Sequence, residues 1–291
     1  MINIVSKNLS QKTLDFLADK QVEIDRKITF IEKKDRAKKS WDGKKGSNDG
    51  EIAFTEIVGK LKDMNVGKGI CNYCENDSSI DIEHIFPKSF YPEKAFQWSN
   101  YLLSCKKCNM YHKNDDFAVF DPIGSTNKHD LVRGTPPPND DALLINPRSE
   151  NAMDFLGLDI VNTFLFTPID RDRTFRNYQR GDYTRELLDL NNEELEHSRR
   201  NLAHSYTETL ERYSKVKATT NFEELKKASR PMDRINESNP FEKEKELILK
   251  GLEDYTLGLP HPTVWEEIKR QKDNIPSLKI LFNNVPEALS W

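Results

Sequence analysis

Two Cys-x-x-Cys pairs, Cys71/Cys74 and Cys105/Cys108, bracket a segment carrying Asp81, Glu83, His84 and Asn100, and Asn109 and His112 follow the last thiol. A Cys-x-x-Cys turn presents two thiolates to one ion, and zinc prefers four tetrahedral ligands, so two such turns complete a closed structural site. These are all the cysteines of the chain. None remains for a disulfide framework, and in a reducing compartment the double spacing favours metal thiolates over free core thiols. A closed four-thiolate site has no open position for substrate, so this zinc should hold structure and perform no chemistry. The long gap between the pairs implies a folded insert.

The elements that must position these groups follow from the pattern of side chains. From Ser79 to Pro87 polar and apolar residues alternate, so Asp81, Glu83 and the backbone near His84 fit one strand running into a loop, with Ile80, Ile82 and Ile85 toward a core. Cys105 to Asn114 is expected to be a helix, in which Asn109 lies four residues after Cys105, and His112 and Lys113 lie three and four after Asn109, all on one face. Strand, loop and helix can then converge on one cation through carboxylate and amide oxygens. Upstream, residues 10–40 read as two helical pieces, with Leu14, Phe16 and Leu17 in the first and Val22, Ile24, Ile28 and Ile31 in the second. A polar break over 42–50 precedes a helix over 51–64, whose stripe of Ile52, Phe54, Ile57, Val58 and Leu61 can pack beside the metal module.

Downstream, turn-rich stretches at 121–127 and 134–141 mark the best internal boundary. Short strands are expected over 143–148 and 159–168, and helix again from Tyr183. In a long helix over 191–213, Leu195, Leu202, Tyr206, Leu210 and Tyr213 lie near one side, with Asn191 or Asn192 as its cap. Further helices are expected around 222–228, 240–257 and 263–273. The expected class is therefore α+β and predominantly helical, with an N-terminal helical segment (1–66), a metal-bearing core (67–125) and a mainly helical region for packing or partner docking (126–291).

Composition sets limits on location and partners. With 291 residues, 36% hydrophobic and 32% charged, the chain can bury a core without a metal, and no run approaches the roughly 18 apolar residues of a membrane span. The first residues lack the pattern of a secretory signal, so the cytoplasm is the expected compartment. A net charge of -4 argues against global attraction to nucleic acid. Locally, however, Arg26 to Lys45 holds nine Lys/Arg against three acids, a patch able to neutralise phosphates. Lys38 and Lys39 are candidate backbone contacts there, with Trp41 available to stack on an unpaired base. His129, His197, His204 and His261 lack a comparable setting and read as structural or exposed.

The Cys71–His112 window resembles the HNH, or ββα-metal, endonucleases that carry a four-cysteine zinc, strongly over about 69–113. That resemblance implies that His84 is the general base, that Asn109 after the last cysteine completes a catalytic metal site, and that Asn100 after Trp98 braces the loop carrying the base. It further implies Mg²⁺ or Mn²⁺ held by Glu83 and Asn109, with neutral His84 deprotonating the attacking water and Lys113 adding positive charge near phosphate. Asp81 and His112 are further candidate ligands, direct or through water, and His112 is alternatively a phosphate contact. Many relatives have Asp where this chain has Glu83, a longer carboxylate that can shift the ion or let Asp81 share it. Short motifs beyond the window, around 146–151 and 187–199, resemble a narrower group, the HNH effectors of bacterial anti-phage systems of the Septu type and their retron-associated relatives. This implies an ABC- or SMC-type ATPase partner and a nucleic-acid substrate, DNA favoured and RNA possible. Two other readings stay open: a noncatalytic zinc module that binds nucleic acid or protein, and a mobile-element or housekeeping HNH nuclease without an ATPase.

Overall fold

The computed structural model describes residues 1, 3–65, 69–76 and 81–291. The expected strand start at Ser79 and the core-facing Ile80 lie outside the described residues. The chain is α+β and predominantly helical, and it divides into two compact units: Met1–Gly157 with Leu165–Leu195, and Leu158–Phe164 with Glu196–Trp291.

The first unit opens with three helices whose starts are written in hydroxyl residues. Ser10 caps α1 (Gln11–Asp25), Thr29 and Glu32 form a reciprocal capping box for α2 (Phe30–Asp42), and Ser47 caps α3 (Asn48–Met64). Ser10 and Thr13 also donate to the Glu56 carboxylate, which ties α1 to α3. The turn between α2 and α3 lies directly on the first turn of α3, since a Cβ at Gly50 would stand 2.2 Å from the Lys44 carbonyl oxygen. Only glycine permits that approach. Leu17, Ile24, Ala37, Trp41, Phe54, Ile57 and Leu61 from these helices join Phe96, Tyr101 and Leu103 in one core. Leu14, Val22, Ile28, Ile31 and Ile52 remain largely exposed, so the apolar stripe is narrower than the sequence suggests.

That core rests against an antiparallel hairpin of β1 (Asp81–His84) and β2 (Tyr101–Ser104), in register Asp81↔Ser104 to His84↔Tyr101. After Cys105 the expected α-helix is instead a π-helical segment, Lys107–Lys113, closed by an i to i−5 bond from the Asn114 amide to the Asn109 carbonyl. A second hairpin, β3 (Ala118–Phe120) with β4 (Lys128–Asp130), was not anticipated. Its connection is the turn at 121–127. Residues 143–148 form no strand: Leu143, Leu144 and Ile145 are buried, and a single bridge pairs Ala142 with Val119. Of the strand expected over 159–168 only the end is extended, as β6 (Phe166–Pro168), while β5 (Leu156–Leu158) lies just before that stretch. Between them the Asp159 carboxylate accepts from the amides of Val161, Asn162 and Thr163, a side-chain turn that competes with strand formation. Then follow α4 (Arg176–Leu187) and α5 (Glu193–Lys217), with the Asn192 side chain accepting from the Leu195 amide as an N-cap.

The second unit is helical, with α6 (Phe222–Ala228), α7 (Phe241–Gly258), α8 (Pro262–Gln271) and α9 (Pro276–Asn284); the last was not expected. Tyr206, Leu210 and Tyr213 of α5 are buried as the periodicity requires, and Tyr206 stacks on Trp265 at 5.3 Å between centroids. No helix among the described residues is long and apolar enough to cross a membrane.

Candidate functional site

The four cysteines converge. Their Sγ atoms all lie within 4.8 Å of one another, and those of Cys74 and Cys105 are 3.8 Å apart. A tetrahedral zinc with Zn–S bonds of about 2.3 Å gives sulfur–sulfur edges of about 3.8 Å, so the cluster has the dimensions of a four-thiolate site. All four residues are buried, and desolvation pushes the Cys71 thiol well above its ordinary value. A divalent cation among the sulfurs is what allows such a group to ionise together. The cluster could therefore bind a zinc ion.

Strand β1 alternates faces, and its two key side chains consequently part. His84 turns toward the helical core, where it is 5% exposed, with the Trp41 ring 4.2 Å and the Tyr101 ring 5.2 Å away between centroids. Its Nε2 lies 2.9 Å from the Ala95 carbonyl, which also accepts the Tyr101 hydroxyl at 2.8 Å. A carbonyl only accepts, so Nε2 carries the proton and Nδ1 holds the lone pair. Burial, reinforced by the positive charge of Lys88, holds the imidazole well below its usual range and keeps it neutral.

Asn100 is placed at the turn into β2 and spans the loop beyond His84. Its Oδ1 accepts from the Phe86 amide at 2.8 Å, and its Nδ2 donates to the carbonyls of Phe86 and Lys94, each at 3.0 Å. With the backbone bond from Ile85 to Asn100 at 2.9 Å, both sides of the loop that follows β1 are clamped to β2. The amide side chain thus uses three of its bonding positions on backbone, at 3% exposure.

On the other face of β1, Glu83 lies against Lys113, Oε1 to Nζ 2.5 Å, with side chains 5% and 1% exposed. Although the two charges touch, Oε1 lacks a partner of hydrogen-bonding geometry, so the contact is an ion pair without a well-directed hydrogen bond. Lys113 directs its bond to the His84 carbonyl at 2.9 Å. Burial raises the Glu83 carboxyl, and Lys113 opposes that rise. Lys113 is therefore an internal counter-ion, and the reading of it as a phosphate contact is corrected: it is wholly buried.

The remaining predicted ligands are divided between two places. Asn109 and Asp81 line one cleft, together with Trp41, Lys44 and Ile82. His112 instead lines a crevice beside Cys74 and Cys108, with Lys107 and Glu194. The expected common face of Asn109 and His112 assumed α-helical spacing. The wider π-helical turn accompanies their separation. Among the described residues the four cysteines are the one group of three or more His, Cys, Asp or Glu side chains gathered to hold a metal. Asp81 and Asn109 bring side-chain oxygens to the same cleft, whereas Glu83 Oε1 is engaged by Lys113.

Trp41 is 9% exposed and packs edge-on against Phe54, His84 and Phe96, so its reading as a platform for an unpaired base is corrected. Lys38 and Lys39 are exposed on α2, Lys38 paired with Asp42 at 2.9 Å. His129, His197 and His204 are exposed, while buried His261 places Nε2 3.1 Å from the Ser198 hydroxyl. Lys88 escaped sequence reasoning. A single lysine after Pro87 carries no signal until its partial burial and the lack of a bonded partner among the described residues are known.

No family model matches the chain. A curated protein of Bacillus thuringiensis, the Septu protein PtuB, is 36% identical to it over 55 residues, which is 17% of this chain and 21% of that protein. The likeness is local and spans about a fifth of the relative's length.

Proposed function

We propose that the chain is a metal-dependent HNH endonuclease that hydrolyses phosphodiester bonds of nucleic acid, DNA in preference to RNA, as the effector of an anti-phage system. The clamp of Asn100 on the loop just after His84 carries this reading, because binding alone does not require a neutral, oriented imidazole fixed at the end of a zinc-stapled hairpin. The local likeness to a Septu protein supports the defence role. In this reading residues 67–125 form the ββα-metal core, with Cys71, Cys74, Cys105 and Cys108 holding a structural zinc.

Neutral His84 accepts a proton from water through Nδ1 while Nε2 stays bound to the Ala95 carbonyl, which fixes both tautomer and ring orientation. Asn100 holds the loop, and the dry surroundings of Trp41 and Tyr101 keep the base unprotonated. Asn109, Asp81 and, once released, Glu83 would hold Mg²⁺ or Mn²⁺. Such an ion, when bound, neutralises charge developing on phosphate and on the departing 3′ oxygen. The bond broken is P–O3′, with water adding at phosphorus.

As arranged, His84 is enclosed by Trp41 and Glu83 is held by Lys113, so the site is closed. That observation favours control by a partner, an ABC- or SMC-type ATPase docked on the region 126–291. It equally suits a noncatalytic zinc module, and one experiment separates the two. Full-length protein, alone and co-purified with an ATPase encoded beside it, is incubated with DNA and RNA under Mg²⁺ or Mn²⁺. Cleavage that appears or rises with the ATPase is expected. Absence of cleavage under every condition, with the complex formed, would favour the noncatalytic module.

A further inference from the structure

Among the described residues Lys88 has neither a hydrogen bond nor an ion pair, although it is only half-exposed. It lines a cleft of about 360 Å³ together with Lys34 and Lys38 of α2, the Phe90 ring and Arg133. The acids in this cleft already have partners: Asp42 is 2.9 Å from Lys38, Asp35 is 3.9 Å from Lys34, and Asp115 is 4.0 Å from Arg133. Glu83, whose charge also reaches Lys88, is taken by Lys113. Four cations against three acids leave one positive charge unmatched, and it is the partly desolvated one. An ammonium held away from water without a partner is unfavourable, and burial accordingly pushes Lys88 down from its ordinary range. A singly charged anion in the cleft removes that penalty.

We propose that this cleft is a strand-binding track, in which Lys88 takes one backbone phosphodiester of a polynucleotide, with Lys34, Lys38 and Arg133 along its rim. Three observations identify the ligand. A phosphodiester carries the single negative charge that the cleft lacks. Lys33, Lys39 and Lys45, outside the cleft, continue the basic stretch on and after α2, so positive potential extends beyond one ion's length. Lys88 lies four residues after His84, in the loop that Asn100 clamps, so the cleft adjoins the loop that follows the proposed base. The inference rests on the nuclease reading for its biological meaning, but the binding it describes does not require cleavage.

The test uses full-length protein in EDTA too dilute to strip the thiolate zinc, so that no strand is cut, and fluorescein-labelled single-stranded DNA, single-stranded RNA and duplex DNA as probes. Affinity is measured by anisotropy over a series of salt concentrations. Lys88→Met keeps the packing of the stem and should weaken binding roughly tenfold and lower the salt slope by about one, while Lys88→Arg retains both. Zinc content of both variants should match wild type, and neither should melt lower than wild type. The probe bound most tightly names the strand type, and any of the three supports the track. Wild-type affinity and slope in Lys88→Met would overturn the proposal, as would absence of salt-dependent binding by wild type. Displacement by inorganic phosphate at the probe's own concentration would also overturn it, by revealing a general anion site. Cleavage under Mg²⁺ with unchanged binding in Lys88→Met leaves the nuclease standing and removes the track. Binding through Lys88 without any cleavage does the reverse.

Discussion

Cys108→Ser is expected to lose its metal and the folded state of the first unit together. The four sulfurs join the residues before β1 to the π-helical segment after β2, all within 4.8 Å of one another, with Cys74 and Cys105 at 3.8 Å, the edge of a zinc tetrahedron. Around them the secondary structure is slight, a hairpin of four-residue strands and a seven-residue π-helical segment, each too short to persist alone. Structural zinc binding supplies on the order of 10 kcal/mol toward folding in small modules, comparable with the whole stability of a domain. Elemental analysis of wild type should find about one zinc per chain. Circular dichroism of the variant should show loss of a cooperative transition in the first unit. A soluble Cys108→Ser protein that melts as wild type would remove the metal from the account of the fold.

Glu83→Ala is expected to destabilise the first unit by about 3–5 kcal/mol, the range found when one partner of a buried ion pair is removed. The Lys113 ammonium would be left 1% exposed with the His84 carbonyl as its remaining close partner. The penalty belongs to the stranded charge, so it should fall steeply when the charge is removed as well. A Glu83→Met, Lys113→Met double variant should regain most of the loss in urea unfolding. If Glu83→Ala unfolds within about 1 kcal/mol of wild type, the ion pair is not holding this face of the hairpin. A large loss in the single variant with recovery in the double would identify the stranded Lys113 charge as the source of the loss.

Legibility in the sequence followed the reach of each signal. Apolar spacing is local, and the helices it indicated over 10–40 and 51–64 form as α1 to α3, although α3 begins at Asn48, inside the stretch read as a polar break, because Ser47 caps it. The double Cys-x-x-Cys spacing is also self-contained, and the four thiols meet. Burial is different, because it depends on what arrives from elsewhere in the chain. Trp41 and Lys113 both carry surface-compatible chemistry, and both are enclosed by neighbours remote in sequence. The stretch after Cys105 has residues suited to an α-helix, yet one extra residue is accommodated in its turn, and a same-face argument built on offsets of three and four fails there. Asp159 shows the converse, a side chain whose bonds to three following amides override β-branched neighbours. The role of Asn100 as a brace entered through family resemblance, while the three bonds it makes are visible only in the folded chain.

In the function proposed above His84 takes the proton of the water that attacks a phosphodiester, and comparison of wild type with His84→Ala in a nucleic-acid cleavage assay tests it most directly. The complex with the ATPase, or the chain alone if it proves active, is incubated with DNA and RNA under Mg²⁺ or Mn²⁺, and initial rates are measured at equal zinc content and well below the melting temperature of each protein. Loss of the imidazole should lower the rate by roughly 10² to 10⁴ while zinc and fold persist. Cleavage by His84→Ala at the wild-type rate would contradict the account.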